Sequence, residues 1–147
     1  MIAKKKYWCY NNDSRLLFSG NQRMIRFTQQ GNAIRQVLQN AGRPLSPQEI
    51  FDIAQRKVSG LGIATVYRNL KAMQEDGSVV AVDLPGQSPR WEISPEGHHH
   101  HFLCNKCDKL FEINACPDDL KHLLPEGYTL ESHDILLRGQ CKECSVK

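Results

Sequence analysis

Residues 98–107 read HHHHFLCNKC, and residues 141–144 near the end of the chain read CKEC. Thiolate sulfur and imidazole nitrogen are ligands that zinc prefers, and two Cys-x-x-Cys pairs supply four sulfurs for one closed tetrahedral site. The two pairs lie 34 positions apart, from Cys107 to Cys141, which is too far for a local zinc ribbon but suits a clamp that closes a small domain. We therefore predict a structural zinc ion held by Cys104, Cys107, Cys141 and Cys144.

The four consecutive histidines predict further metal ligands if they lie on a β-strand. Neighbouring side chains of a strand point to opposite faces, so His98 and His100 would face one way and His99 and His101 the other. Two metal sites can then share this strand, each completed from elsewhere; the alternative is a solvated polar strand without metal. The candidate partners in the sequence are Glu92, Glu112, Asp119, His122 and His133, with Asp83 in reserve.

Upstream of this stretch, apolar residues recur at helical spacing in three segments. The first helix follows Thr28 as N-cap and ends at Gly42, and the second begins at a capping box in residues 46–49, SPQE. The third runs from the turn at Gly62 to Gly77. The predicted buried stripes are Ile34, Val37, Leu38 and Ala41 in the first helix, Ile50, Ile53, Ala54 and Val58 in the second, and Ile63, Val66, Leu70 and Met73 in the third.

Two short strands follow the third helix, at 79–82 and 90–93, separated by a turn rich in proline and glycine. Three helices followed by a hairpin form a winged helix. In such a unit the last helix reads the major groove of DNA, and its exposed face here carries Thr65, Tyr67 and Arg68. The segment taken alone is also compatible with a solvated helix face; the predicted hairpin favours DNA recognition.

The sequence divides into four parts, and the predicted fold class is α+β. A basic arm covers residues 1–23, the winged helix 24–94, a hinge interrupted by proline and glycine 95–97, and a small zinc-stapled α/β domain 98–147. In this last domain we expect strands at 98–103, 109–113 and 127–138 and a short helix at 117–124. Met24 is an alternative start of translation.

Composition and charge restrict the class of protein. With 147 residues and 40% hydrophobic content, the chain can bury one modest core or two small ones. The basic surplus lies in the first 27 residues, which carry six lysines and arginines against one aspartate. We expect a soluble cytoplasmic protein, because no apolar run approaches the roughly 18 residues that span a bilayer and no secretory signal is evident.

Two cysteines, Cys9 and Cys116, lie outside the Cys-x-x-Cys pairs. Cys116 directly precedes Pro117, so we interpret it as a cap of the short helix predicted there. A redox-sensitive thiol and a metal ligand are the alternatives for this residue.

Together these motifs resemble the ferric uptake regulator family of metal-dependent repressors. The resemblance rests on GIATVYRNL at residues 62–70, on the histidine-rich strand that runs into the first Cys-x-x-Cys pair, and on His133 shortly before the second. It covers residues 24 to 144. It implies a non-enzymatic homodimer, joined through its C-terminal domains, that binds a palindromic double-stranded operator when its regulatory metal is present, without a membrane or a small-molecule substrate.

The resemblance also implies roles for single residues. A hinge sensing site maps to Glu92, His99, His101 and Glu112, a second site in the dimerisation domain to His98, His100, Asp119 and His133, and DNA contacts to Thr65, Tyr67, Arg68 and, in the minor groove, Arg26. Two departures stand out. Arg43-Pro44 falls where many members place a further sensing histidine, so Asp83 is considered in its place, and Gln29-Gln30-Gly31 alters a phosphate-contacting segment.

The sensed metal is less well determined, because imidazole with carboxylate accommodates zinc, ferrous iron and manganese. The histidine run and the short C-terminus resemble the zinc uptake branch, so we expect Zn²⁺ and control of zinc uptake genes, with iron-responsive and peroxide-sensing members as alternatives. A hydrolytic metalloenzyme is disfavoured, since no His-Glu-x-x-His motif is present. The rival of another class is a zinc-stapled interaction or metal-storage module without DNA binding.

Overall fold

The structure is a computed structural model that describes residues 28–117 and 119–146. The arm 1–23, Met24 and Arg26 therefore lie outside the described residues. No helix in the described ranges is long and apolar enough to span a bilayer. The elements in chain order are α1 (Gln29–Ala41), α2 (Pro47–Ala54), α3 (Ile63–Glu75), β1 (Val79–Val82), β2 (Arg90–Ile93), β3 (His100–Cys104), β4 (Leu110–Ile113), a 3-10 helix (Lys121–Leu123), β5 (Leu136–Gly139) and α4 (Lys142–Ser145).

The first two helices begin and end where the sequence predicts. Thr28 caps α1 by accepting a hydrogen bond from the backbone N–H of Gly31, and Gly42 ends the helix in the left-handed conformation with φ of 60°. At α2 the capping box is complete: the Ser46 hydroxyl accepts from the Glu49 N–H at 3.2 Å, while the Glu49 carboxylate accepts from the Ser46 N–H at 2.8 Å.

The three helices and the hairpin enclose one apolar core. It contains most of the predicted stripes, but Ile53 and Ile63 are each 39% exposed, so their predicted burial is wrong. α2 has only eight residues and turns Ile50 and Ala54 inward, which leaves Ile53 at the edge of a narrow stripe, and Ile63 is the first residue of α3. Val58 is buried although it lies beyond α2, because its N–H still bonds to the Ala54 carbonyl.

β1 and β2 form the predicted antiparallel hairpin, with Val79 opposite Ile93 and Val82 opposite Arg90. Leu45, just before α2, adds a further rung by exchanging two backbone hydrogen bonds with Trp91 at 2.9 and 2.7 Å. The outer edge of β2 is thus tied to the segment that leads into α2.

The C-terminal half is a three-stranded sheet in the order β4-β3-β5, with β3 antiparallel to β4 and parallel to β5. The strand predicted at 127–138 is wrong for most of its length, since only Leu136–Gly139 pairs. Residues 131–134 are polar, so a strand there would have no apolar face to bury. The helix predicted at 117–124 shortens to one 3-10 turn before Pro125, and α4 was not predicted.

An ion pair and a small apolar cluster join the two halves. Leu84 packs with Leu103 and Leu110 of the C-terminal sheet. Arg90 of β2 has a side chain only 8% exposed, and its Nη2 lies 2.9 Å from Oδ2 of Asp108, the residue that follows the first Cys-x-x-Cys pair. Asp108 has a φ of 58°, a left-handed conformation that aspartate and asparagine tolerate better than most residues.

The Asp108→Asn substitution tests the Arg90–Asp108 contact. Asparagine keeps the left-handed backbone preference and an acceptor oxygen but removes the charge beside a buried guanidinium. Because Asp108 itself is 60% exposed, we expect a modest loss of about 1 kcal/mol in the free energy of unfolding, measured by urea denaturation of the zinc-loaded protein. Glu126→Gln, at an exposed loop carboxylate, is the control; equal stability of both variants would contradict the prediction.

Candidate metal centres and nucleic-acid interface

The four paired cysteines converge as predicted. Cys104 ends β3, Cys107 lies in the turn that follows, Cys141 caps α4 and Cys144 lies within it. Their sulfur atoms all lie within 4.8 Å of one another, and the Cys107 and Cys141 sulfurs are 3.8 Å apart. A tetrahedral zinc with Zn–S bonds of about 2.3 Å places its sulfurs about 3.8 Å apart. The geometry therefore fits the predicted structural zinc.

The electrostatics of these thiols favour a cation. Hydrogen bonds to the Cys104 sulfur, first from the backbone N–H of Cys141 at 3.3 Å and then from that of Cys107, lower the pKa of Cys104 to about 6. Burial and the neighbouring cysteines raise the pKa of Cys144 to about 12. Four thiolates cannot coexist in this space without a compensating positive charge, which zinc supplies.

A second group of donors joins the two halves at the hinge. Glu92 on β2 is 4% exposed, and its two carboxylate oxygens lie 3.0 Å from Nε2 of His99 and 3.4 Å from Nε2 of His101. The winged helix thus contributes the carboxylate, and the histidine-rich segment contributes two imidazoles. One carboxylate and two imidazoles form a donor set for a divalent cation with further coordination positions open.

Two residues predicted for the hinge site lie outside this group. Glu112 is paired with His101 across β3 and β4, but its side chain is exposed and does not join the donors that lie within 4.8 Å of one another. Asp83 lines the adjacent cavity without joining the group. At the position where many family members have a histidine, the Arg43 guanidinium instead binds the Glu49 carboxylate at 2.6 Å.

A third group lies on the opposite side of the histidine run. Nε2 of His98 lies 2.9 Å from Nε2 of His100 and 3.1 Å from Nε2 of His133. The fourth member is Cys116, whose sulfur lies 3.1 Å from Nε2 of His133. The odd and even histidines of the run therefore separate onto two groups, as strand alternation predicts.

The placement of Asp119 in this third group is corrected by the structure. Asp119 is exposed and faces His122 at 3.9 Å, and its carboxylate accepts a hydrogen bond from the Lys121 N–H. The interpretation of Cys116 as a helix cap is also wrong, because the N-cap of the 3-10 helix is Leu120 and the helix begins at Lys121, five residues after Cys116. The signal for Cys116 was its residue type: a cysteine left unpaired in a domain whose other cysteines are zinc ligands.

The imidazoles of the third group favour their neutral form. Burial lowers the pKa of His98 and of His100 from the ordinary value, and the neighbouring histidines lower it further, chiefly His133 for His98 and His98 for His100. Neutral imidazole is the form that binds metal. Both histidine groups line one cavity of about 420 Å³ between the wing and the C-terminal sheet.

Helix α3 presents the predicted DNA-reading residues to solvent. Tyr67 is 51% exposed, and the Arg68 guanidinium donates to the Thr65 hydroxyl at 3.1 Å, which orients it along the helix surface. Gln30, in the altered segment of α1, donates its amide to the Gly60 carbonyl at 3.2 Å. The Gln30 side chain thus makes an intramolecular contact with the turn that precedes α3.

The sequence is similar to those of a known protein family. The profile of the ferric uptake regulator family matches residues 22–138. The chain belongs to the ferric uptake regulator family. It is 32% identical over 130 residues to the ferric uptake regulation protein of Synechococcus elongatus, covering 84% of this chain and 88% of that one.

A further relative and a solved structure extend the comparison. The peroxide operon regulator of Bacillus subtilis is 28% identical over 126 residues, covering 84% of this chain and 86% of the other. The structure of the Helicobacter pylori ferric uptake regulator, with three functional metal binding sites, superposes with a TM-score of 0.64 at 27% identity and covers 81% of each chain. These matches confirm the α+β class and place the chain among metal-dependent transcription regulators, which are not enzymes.

The Cys104→Ser substitution tests the four-cysteine site. Metal binding at a structural zinc site contributes folding free energy, about 10–16 kcal/mol in zinc-finger peptides. We expect the variant to lose at least one zinc per chain by elemental analysis and to lose amide protection throughout the C-terminal sheet by hydrogen exchange. Cys9→Ser should change neither. A Cys104→Ser protein that keeps its full zinc content would overturn the assignment.

Proposed function

We propose that this protein is a homodimeric, cytoplasmic repressor that binds double-stranded operator DNA when a divalent metal occupies its hinge site, and that it controls zinc uptake genes. The observation that carries this proposal is the position of Glu92. Its buried carboxylate belongs to the winged helix, yet both of its oxygens face histidines of the C-terminal half. A metal at this point holds the two halves together.

The proposed switch is a shift of population between domain arrangements. A cation bound by Glu92, His99 and His101 binds the closed arrangement better than an open one, because only the closed arrangement brings all three donors together. Glu112 lies beside His101 and is proposed as a further ligand, and Asp83 is proposed in place of the family's further histidine. Fixing the wing in this way spaces the two reading helices of a dimer for a palindromic operator.

Three donor groups support three proposed metal sites. Zinc is proposed at Cys104, Cys107, Cys141 and Cys144, and a second site uses His98, His100 and His133. For the hinge site, zinc is our first proposal. The donor set also accommodates ferrous iron or manganese, and the names of the relatives favour iron-responsive and peroxide-sensing alternatives.

The DNA-binding surface is proposed to consist of Thr65, Tyr67 and Arg68 on α3, with Arg26 reaching the minor groove. Support comes from the exposure of Tyr67 and Arg68, beside the half-buried Thr65, on the last helix of a winged helix. We retain the proposed division into an arm at 1–23, a DNA-binding domain at 24–94, a hinge at 95–97 and a dimerisation domain at 98–147.

The proposed dimer uses the C-terminal half. β5 is an edge strand of its sheet and its Leu137 is 50% exposed, and in the preceding segment of the same half Leu123 is 68% and Tyr128 69% exposed. An unpaired edge beside exposed apolar side chains is typical of a surface that pairs with another chain.

Arg68→Ala tests the DNA-reading helix. If the guanidinium reads a base edge, the variant should lose about 1–3 kcal/mol of affinity for DNA upstream of the protein's own gene, with little change on unrelated DNA. Fluorescence anisotropy at fixed salt measures both affinities. Lys57→Ala removes an exposed cation beyond α2 and serves as control; an equal loss on both DNAs would show that Arg68 contacts only phosphate.

Glu92→Gln tests the hinge switch. The variant keeps the shape of the side chain but loses the anionic ligand, so the zinc concentration needed for half-maximal operator binding should rise at least about tenfold. Glu96→Gln changes an exposed carboxylate in the same hinge and should leave the metal requirement unaltered. If operator binding by the unmodified protein does not depend on zinc, manganese or ferrous iron, the proposed function is refuted.

A further inference from the structure

The third donor group differs in kind from the hinge group. His98, His100 and His133 direct three Nε2 atoms toward one point, and the Cys116 sulfur completes the set. The hinge group offers a carboxylate in place of sulfur. Two metal sites of different donor chemistry thus open onto the same cavity.

Hydrogen bonding alone does not account for the contacts of this group. A neutral imidazole nitrogen carries either one hydrogen or one lone pair. Nε2 of His98 faces both His100 and His133, and Nε2 of His133 faces both His98 and the Cys116 sulfur. Each of these nitrogens would have to share one hydrogen or one lone pair between two partners, whereas a central cation accepts a lone pair from every donor.

His100 provides a second, independent observation. It is 2% exposed, and its Nδ1 is buried with no hydrogen-bond partner among residues 28–117 and 119–146. Burying a polar imidazole costs free energy unless its nitrogens are satisfied. Nε2 is the nitrogen that faces His98, at 2.9 Å, so burial fixes the ring with this nitrogen directed into the third group.

We propose that the third group is a three-histidine, one-cysteine zinc site in which Cys116, and not Asp119, is the fourth ligand and favours zinc over manganese and ferrous iron. Zinc bonds of about 2.0–2.1 Å to nitrogen and 2.3 Å to sulfur place neighbouring donors about 3.3 to 3.6 Å apart. The observed 2.9 to 3.1 Å requires only small outward movements of the side chains. Thiolate favours zinc, while carboxylate suits manganese.

The proposal deepens the proposed function, since it concerns one of its metal sites, but it can be tested without DNA. Co²⁺ added to the full-length, zinc-clamped protein should produce a near-ultraviolet thiolate-to-cobalt absorption band. Subtracting the spectrum of the Cys116→Ser variant isolates the contribution of Cys116. Any cobalt that replaces zinc at the four-cysteine site contributes to both spectra and cancels. Asp119→Asn and Cys9→Ser are matched controls that should retain the whole band.

Selectivity gives a second measurement. Cys116→Asp replaces sulfur by a carboxylate oxygen at an exposed position. Loss of a residue that only supports a metal ligand already lowers metal affinity about 10- to 100-fold. Loss of the sulfur ligand should therefore lower the zinc affinity of this site at least about tenfold, and should lower its manganese affinity less. Chelator competition with Zn²⁺ and Mn²⁺ measures both affinities.

The outcomes distinguish this inference from the proposed function. A cobalt band that is lost in Cys116→Ser and kept in Asp119→Asn supports the site even if operator binding proves independent of metal. An identical spectrum in Cys116→Ser, or a band that disappears in Asp119→Asn, overturns it even if operator binding requires metal. Equal zinc affinity in Cys116→Asp and the unmodified protein overturns the claim of selectivity.

Discussion

The arrangement of the metal-donor side chains depends on one constraint: along an extended chain, successive side chains point to opposite faces. From His98 to Cys104 the chain runs extended into β3, the central strand of the C-terminal sheet. Alternation sends His99 and His101 toward the wing and His98 and His100 toward His133. The same strand ends at Cys104, which enters the four-sulfur group. One segment therefore contributes to all three groups, and a register slip of one residue would exchange the two histidine sets.

β2 shows the same alternation from the other side of the hinge. Trp91 faces the helical core and pairs its backbone with Leu45, while its neighbours Arg90 and Glu92 face the C-terminal half. Arg90 contacts Asp108 next to the four-cysteine group, and Glu92 contacts the hinge histidines. All three residues are buried because both faces of this short strand are covered. β2 consequently attaches the wing to the C-terminal half at two points, Arg90 and Glu92, which lie two residues apart. Two such contacts resist rotation of the wing better than one.

Local rules predicted local structure well, and tertiary contacts account for what they missed. The caps at Thr28 and Ser46, the hairpin bounds and the separation of the histidines follow from hydrogen bonding and periodicity within a few residues. The exposure of Ile53 could not be predicted, because it depends on how much of α2 its neighbours cover. The choice between Cys116 and Asp119 depends on the path of an irregular segment between β4 and the 3-10 helix, where no periodicity determines which side chain reaches His133.

The geometry of the hinge bears on how the proposed switch works. The Glu92 carboxylate lies 3.0 Å from Nε2 of His99, so donors of the two halves meet directly at the hinge. A divalent cation replaces two imidazole–carboxylate contacts and converts a buried negative charge into a net positive site, which changes the strength of the connection more than its geometry. Coupling free energies between two binding sites typically amount to about 1–3 kcal/mol, and a metal that strengthens this one connection between the halves is expected to change DNA affinity within that range.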